Sequence, residues 1–222
     1  MHIPDGYLSP FFSVGSGVVT VPAWSVAAAR LRRSLRGRSV PMLALLSAFS
    51  FALMLISFPV PGGTTAHAVG GTLIAIVVGP WAAVAGVSVA LVIQALFFGD
   101  GGILAIPLNC LNLAVVLPLT GWAVYRLLGG ARPAGRRRLW AAGVGAYAGL
   151  TLAALAVGVE LGLQPALFQV AGQPVYAPYT IAQAVPAMLV AHGLGASFVE
   201  AAVTVLGLVY VERLGARSPA GS

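Results

Sequence analysis

The chain has 222 residues, of which 59% are hydrophobic and 8% charged, with a mean hydropathy of +0.96. A soluble domain carries about 25% charged residues, so this composition excludes a soluble globular protein and indicates an all-α, polytopic membrane protein. The formal net charge of +7 would point to nucleic acid in a soluble chain; here the basic residues flank apolar spans, where lipid head groups account for them.

We read residues 1–222 as a single integral membrane domain. Its first segment, 1–10, is MHIPDGYLSP. It has no basic n-region and runs straight into an apolar stretch, so a cleaved signal peptide is not expected. His2 is too large for removal of Met1, which leaves a free α-amine. That amine, the amide nitrogen of residue 2 and Nδ1 of His2 can close two fused chelate rings on one ion. Planar nitrogen ligation suits Ni(II) and Cu(II), and imidazole also suits other late first-row metals. The competing reading is an ordinary disordered chain end.

Apolar segments follow at roughly 11–29, 41–60, 67–79, 81–98, 103–128, 139–163 and 181–211. The third is too short for the roughly 20 residues of a full crossing. All basic residues are Arg, in three groups: Arg30, Arg32, Arg33, Arg36 and Arg38; Arg126, Arg132, Arg136, Arg137 and Arg138; and Arg213 with Arg217. Seven spans put the three groups on one side and leave the other side without Lys or Arg. The positive-inside rule then places the N-terminus outside and the C-terminus in the cytoplasm. Met1, His2, the 60–67 segment, Asp100 and the 164–180 loop all face outward.

In span two, Ala44, Ala48 and Ala52 repeat every four residues, a face that permits close helix approach to a partner or within the bundle. Between spans two and three, PGGTTAHAVGG (Pro61 to Gly71) places His67 between glycine pairs. Intramembrane ionisable groups default to function, and an imidazole nitrogen from His67 would complete a four-nitrogen plane with the N-terminal chelate. GDGGILAIPLNCLN opens span five, where Asn109 and Asn112 share a helix face and could orient a liganding His or bond between helices. Cys110 is read as a buried apolar residue, since one cysteine makes neither an internal disulfide nor a multi-cysteine zinc site. In the last span, His192 and Glu200 lie about 80° apart around a helix and can face one interior, both as candidates to support a metal ligand from behind; Glu200 could also fix the bundle or relay a proton, and a structural pair with Thr204 is favoured. No HExxH, GxSxG or phosphate-binding loop occurs, and Ser197 lacks the context of an intramembrane protease, so we expect no enzyme activity.

MHIPDGYLSP, GGTTAHAVGG, FFGDGGILAIPLN and HGLGASFVEAAVT, in that order, resemble the CbiM/NikM family, the substrate-binding membrane subunits of energy-coupling factor transporters for cobalt and nickel. The resemblance covers nearly the whole chain. It implies a seven-helix bundle in the plasma membrane, a six-helix core plus an N-terminal helix. It implies metal ligands at Met1, His2 and His67, with Ni2+ or Co2+ as transported substrate and no permanent cofactor. It implies a transmembrane coupling subunit that meets the Ala44, Ala48 and Ala52 face, separate ATPase subunits and a small accessory membrane subunit. MHIPDG in place of MHIMEG looks closer to nickel-type members; Thr65 stands where Ser is common. Cobalt for a cobalamin pathway remains the alternative within transport. A haem protein using His67 and His192, or a membrane scaffold, is the alternative outside it.

Overall fold

The computed structural model describes residues 1–34, 37, 39–60, 64–130 and 135–217. Arg36, Arg38, Arg132 and the Pro61-Gly62-Gly63 start of the His67 segment lie outside the described residues. The helices are α1 (Pro10–Ser34), α2 (Ser39–Leu55), α3 (Gly71–Val77), α4 (Pro80–Ile93), α5 (Ile106–Cys110), α6 (Leu117–Leu127), α7 (Arg136–Leu167), α8 (Ile181–Ala191) and α9 (Ser197–Arg217). Three π-helical turns, Gln94–Phe98, Leu111–Val116 and His192–Ala196, prolong α4, join α5 to α6 and join α8 to α9. Each carries one buried polar side chain, Gln94, Asn112 or His192. Such turns are frequent at functional sites.

Among the described residues, five helical stretches are long and apolar enough to cross a membrane, and Ser39–Leu55 is a shorter apolar helix. Large apolar side chains point outward around the bundle, among them Phe11, Val18, Phe97, Leu104 and Leu206. Ser, Thr, Asn, His and Glu residues are buried inside. Apolar residues outside and bonded polar residues inside are what a hydrocarbon solvent selects.

The tightest packing joins α6 and α7. A Cβ at Gly145 would lie 2.5 Å from the Gly121 carbonyl oxygen, and one at Gly149 equally close to that of Leu117. Only glycine allows this approach, and the buried Ala141, Ala142, Ala146, Ala153 and Ala154 continue the small-residue face of α7. At one end of this pair Arg138 of α7 meets Glu212 of α9 at 3.1 Å. The Arg136–138 run and the end of α9 therefore share a side.

Several boundaries differ from the sequence expectation. Span two was drawn to residue 60, but α2 stops at Leu55, and Phe58–Val60 (β1) pairs antiparallel with Thr64–Ala66 (β2), Pro59 opposite Thr65. Pro59 bars a helix through residue 58, because the residue before a proline is pushed out of the helical region, and the chain has already left α2 three residues earlier. His67 precedes α3 in an irregular stretch, His67 to Gly70, that ends at Gly70 with φ +75°. Helix α7 runs to Leu167, so the 164–180 loop shrinks. Within it, Gln169–Val170 (β3) and Gln173–Pro174 (β4) form a small hairpin turning at Ala171 and Gly172, both with positive φ.

Candidate metal centre

Residues 1–9 fold back into the bundle, and the sequence explains how. Ser9 caps α1, its Oγ accepting from Phe12 N–H at 3.3 Å, while its own N–H donates to Gln164 Oε1 of α7 at 3.0 Å. Asp5 accepts from the N–H groups of Ile103 and Leu104 at 2.9 and 3.0 Å. Gly102 leaves the room this needs, since a Cβ there would collide with Asp5. Asn109 makes two bonds to Ile3: its Oδ1 accepts from Ile3 N–H at 2.9 Å and its Nδ2 donates to the Ile3 carbonyl at 3.0 Å. Gly102 N–H donates to the same carbonyl at 2.9 Å. Beyond the hairpin the chain is tied to the segment through Ala177 N–H, which donates to the Tyr7 carbonyl at 3.1 Å.

This docking carries Met1 and His2 inside. The Met1 amine donates to the Thr65 carbonyl at 3.0 Å, and burial pushes it down from 8.0 to about 5. It is therefore neutral at pH 7, with a free lone pair. The rings of His2 and His67 stack, centroids 4.7 Å apart and planes inclined by 18°. His67 is 1% exposed, and its Nδ1 donates to the Ala68 carbonyl at 3.2 Å, which leaves the Nε2 lone pair as the free donor of a neutral ring. The Nε2 atoms of His2 and His67 are both buried without a protein partner. Nδ1 of His2 lies 3.2 Å from Asp100 Oδ1, and that hydrogen bond holds the Asp100 carboxyl below the usual carboxylate value. A cavity of about 450 Å³ opens beside Met1 and His2, walled by Val157, Leu161, Ala184 and Met188, with Tyr7 and Tyr179 among its lining.

The structure thus brings Met1, His2 and His67 together and adds two groups that the sequence reading did not place there, Asp100 and the Thr65 carbonyl. Among the described residues no group of three or more His, Cys, Asp or Glu side chains could hold a metal ion.

The other expected contributors take different roles. Asn109 orients Ile3, and its bonds go to that residue's backbone and not to an imidazole. Asn112 donates to Glu160 at 2.6 Å, a partner that the sequence reading passed over although an ionisable residue within a span was the signal. His192 is buried, its Nδ1 on the Met188 carbonyl of its own helix at 2.9 Å. Glu200 does not pair with Thr204, whose hydroxyl finds no protein partner; it accepts from the N–H groups of Val69 and Gly70 at 2.7 and 2.8 Å. The face of α2 carrying Ala44, Ala48 and Ala52 is exposed, and Ala44 and Ala48 line an apolar groove of about 670 Å³ shared with Ala85, Val89 and Ile93 of α4. Cys110 is buried and free.

Comparison with known proteins bears on this arrangement. The chain is 51% identical to the fused nickel transport protein NikMN of Rhodobacter capsulatus over 215 residues, 96% of this chain and 62% of that one. It is 46% identical to LarMN of Lactiplantibacillus plantarum over 217 residues, 96% of this chain and 65% of that one. It therefore spans less than two thirds of either relative. A crystal structure of a truncated transition metal transporter superposes with a TM-score of 0.91 at 46% identity, covering 96% of this chain and 99% of that one. The family model described as the cobalt uptake substrate-specific transmembrane region matches residues 2–218, and the chain belongs to that family, CbiM.

Proposed function

We propose that this chain is the substrate-binding membrane subunit of an energy-coupling factor importer, and that it captures Ni2+ or Co2+ from outside the cell. The observation that carries the reading is the convergence in one buried place of the chain's own amine, His2 and His67. The ligands are the Met1 amine, the backbone nitrogen and Nδ1 of His2, and Nε2 of His67. The neutral amine and the fixed tautomer of His67 make two of the four nitrogens available without proton loss. Nδ1 of His2 is held at Asp100, so ligation requires that ring to leave Asp100 and turn its Nδ1 toward the amine. Four nitrogens in a plane suit Ni(II), and the MHIPDG start together with the nickel-named relatives favours nickel over cobalt.

The orientation follows from the Arg groups. Seven membrane passages, with α3 a short one, place the N-terminus outside and Arg30, Arg126, Arg136 and Arg213 inside. ATP is hydrolysed by separate ATPase subunits, and the exposed Ala44, Ala48 and Ala52 face meets a transmembrane coupling subunit. A small accessory membrane subunit completes the complex. The relatives' names speak for transport and against haem binding or a scaffold.

The test is a calorimetric titration of the purified chain with NiCl2 and CoCl2. His2→Ala and His67→Ala are each expected to remove high-affinity binding, whereas Cys110→Ala keeps it. Unchanged binding by His67→Ala would place the site elsewhere.

A further inference from the structure

The peptide unit between Ala68 and Val69 is held at both ends. Its carbonyl accepts from Nδ1 of His67 at 3.2 Å, and its N–H donates to Oε2 of Glu200 at 2.7 Å. A peptide is planar and rigid, so the two bonds share one plane whose direction the carboxylate fixes. The same carboxylate oxygen holds Gly70 N–H at 2.8 Å, and Ser50 Oγ of α2 donates to the Val69 carbonyl at 2.6 Å. Ser50, Val69 and Glu200 are all fully buried.

We propose that Glu200 is a positioning residue for the metal site, acting on His67 through the Ala68–Val69 peptide. The inference rests on the reading above that His67 is a ligand. A metal-binding imidazole is commonly oriented by an acceptor on its other nitrogen, and that acceptor tunes its basicity. Here the acceptor is a carbonyl, and the carboxylate lies one peptide further on. A carboxylate accepting at the N–H end polarises the carbonyl at the other end and strengthens its bond to Nδ1. A buried carboxylate inside a membrane bundle is costly. An apolar residue at position 200 would pack on α9 without that cost, but the two loop N–H groups would lose their acceptor. The carboxylate does not serve α9 itself, since Thr204, one turn on, is left without a partner.

Calorimetry with NiCl2 on the purified chain tests this. Glu200→Ala is expected to weaken nickel binding about 10- to 100-fold, the usual effect of removing an outer partner of a ligand. Glu200→Gln, whose amide oxygen can accept both N–H groups, is expected to recover most of that loss. The decisive comparison is made in the His67→Ala background, where residues 1 and 2 still chelate weakly and binding is read at high nickel. There Glu200→Ala should change the residual affinity by less than about twofold, the scatter of independent effects. Ser50→Ala, a milder release of the same loop, should show a smaller loss with the same dependence on His67, and it carries the test if Glu200→Ala does not fold.

Near-wild-type binding by a folded Glu200→Ala or, failing that, by Ser50→Ala overturns the proposal and leaves the His67 reading standing. So does a loss that persists undiminished without His67, because the effect then does not run through that ring. Wild-type affinity in His67→Ala alone overturns the underlying reading instead.

Discussion

Asn109→Ala isolates how much of the metal affinity comes from docking the N-terminus. The substitution removes both side-chain bonds to Ile3, which is 1% exposed. The Ile3 carbonyl keeps the Gly102 N–H, so that end loses little. The Ile3 N–H loses its acceptor in a buried place, which costs about 1–3 kcal/mol. The penalty falls on segment 1–6, which supplies three of the four proposed nitrogens. About 2 kcal/mol there corresponds to roughly a 30-fold weaker nickel affinity. Titration with NiCl2 reads the affinity, and hydrogen exchange at Ile3 reads the docking. Asn109→Asp keeps an acceptor for the Ile3 N–H and should lose less. Binding by Asn109→Ala within about threefold of wild type, about 0.7 kcal/mol, together with fast exchange at Ile3, would show that docking does not set the affinity, and the reasoning would fail.

Three further outcomes are expected. Burial depresses the Met1 amine from 8.0 to about 5, so the docked segment holds fewer protons than the undocked one between those values. Docking should be undiminished above pH 8 and weaken as pH falls toward 5; nitrogen NMR of the labelled amine with a midpoint near 8 would contradict this. Ala48→Leu adds bulk to an exposed face that takes no part in lining the cavity beside Met1 and His2. It should leave nickel binding within about twofold while cutting co-purification with the coupling subunit several-fold; lost binding with intact assembly would mean that the face packs inside the bundle. On a Cys110→Ala background, a cysteine at position 103 should be labelled from outside intact cells and one at position 37 should not, and the reverse pattern would invert the topology.

Much of the arrangement is legible in the residues. Apolar runs mark helices because the bilayer leaves a chain few alternatives, and two of the arginine groups meet at one end of the bundle, where Arg138 pairs with Glu212. The meeting of His2 with His67 is expected because ionisable groups within a span default to function and the span count places both residues on one side. The partners of Asn109, Asn112 and Glu200 are not. Each bonds a group far away in the chain, Ile3, Glu160 or Val69, and a local pattern carries no information on which distant backbone arrives there. The expected Glu200–Thr204 pair is one turn apart, a contact that spacing does predict. It yielded to two loop N–H groups that had no other acceptor. The end of α2 is missed for a related reason: hydropathy stays high through Val60, whereas Pro59 and the pairing of β1 with β2 decide the backbone.

The central claim is that the chain's own amine is a ligand, and one titration addresses it directly. The protein is prepared with its native Met1 and with a single glycine placed before it, and each is titrated with NiCl2. The added residue moves the amine out of the five-membered chelate while leaving His2, His67 and the helices in place. The account predicts tight binding by the native chain and a loss of at least about 100-fold, close to 3 kcal/mol, in the extended one. Equal affinity in the two proteins would contradict it.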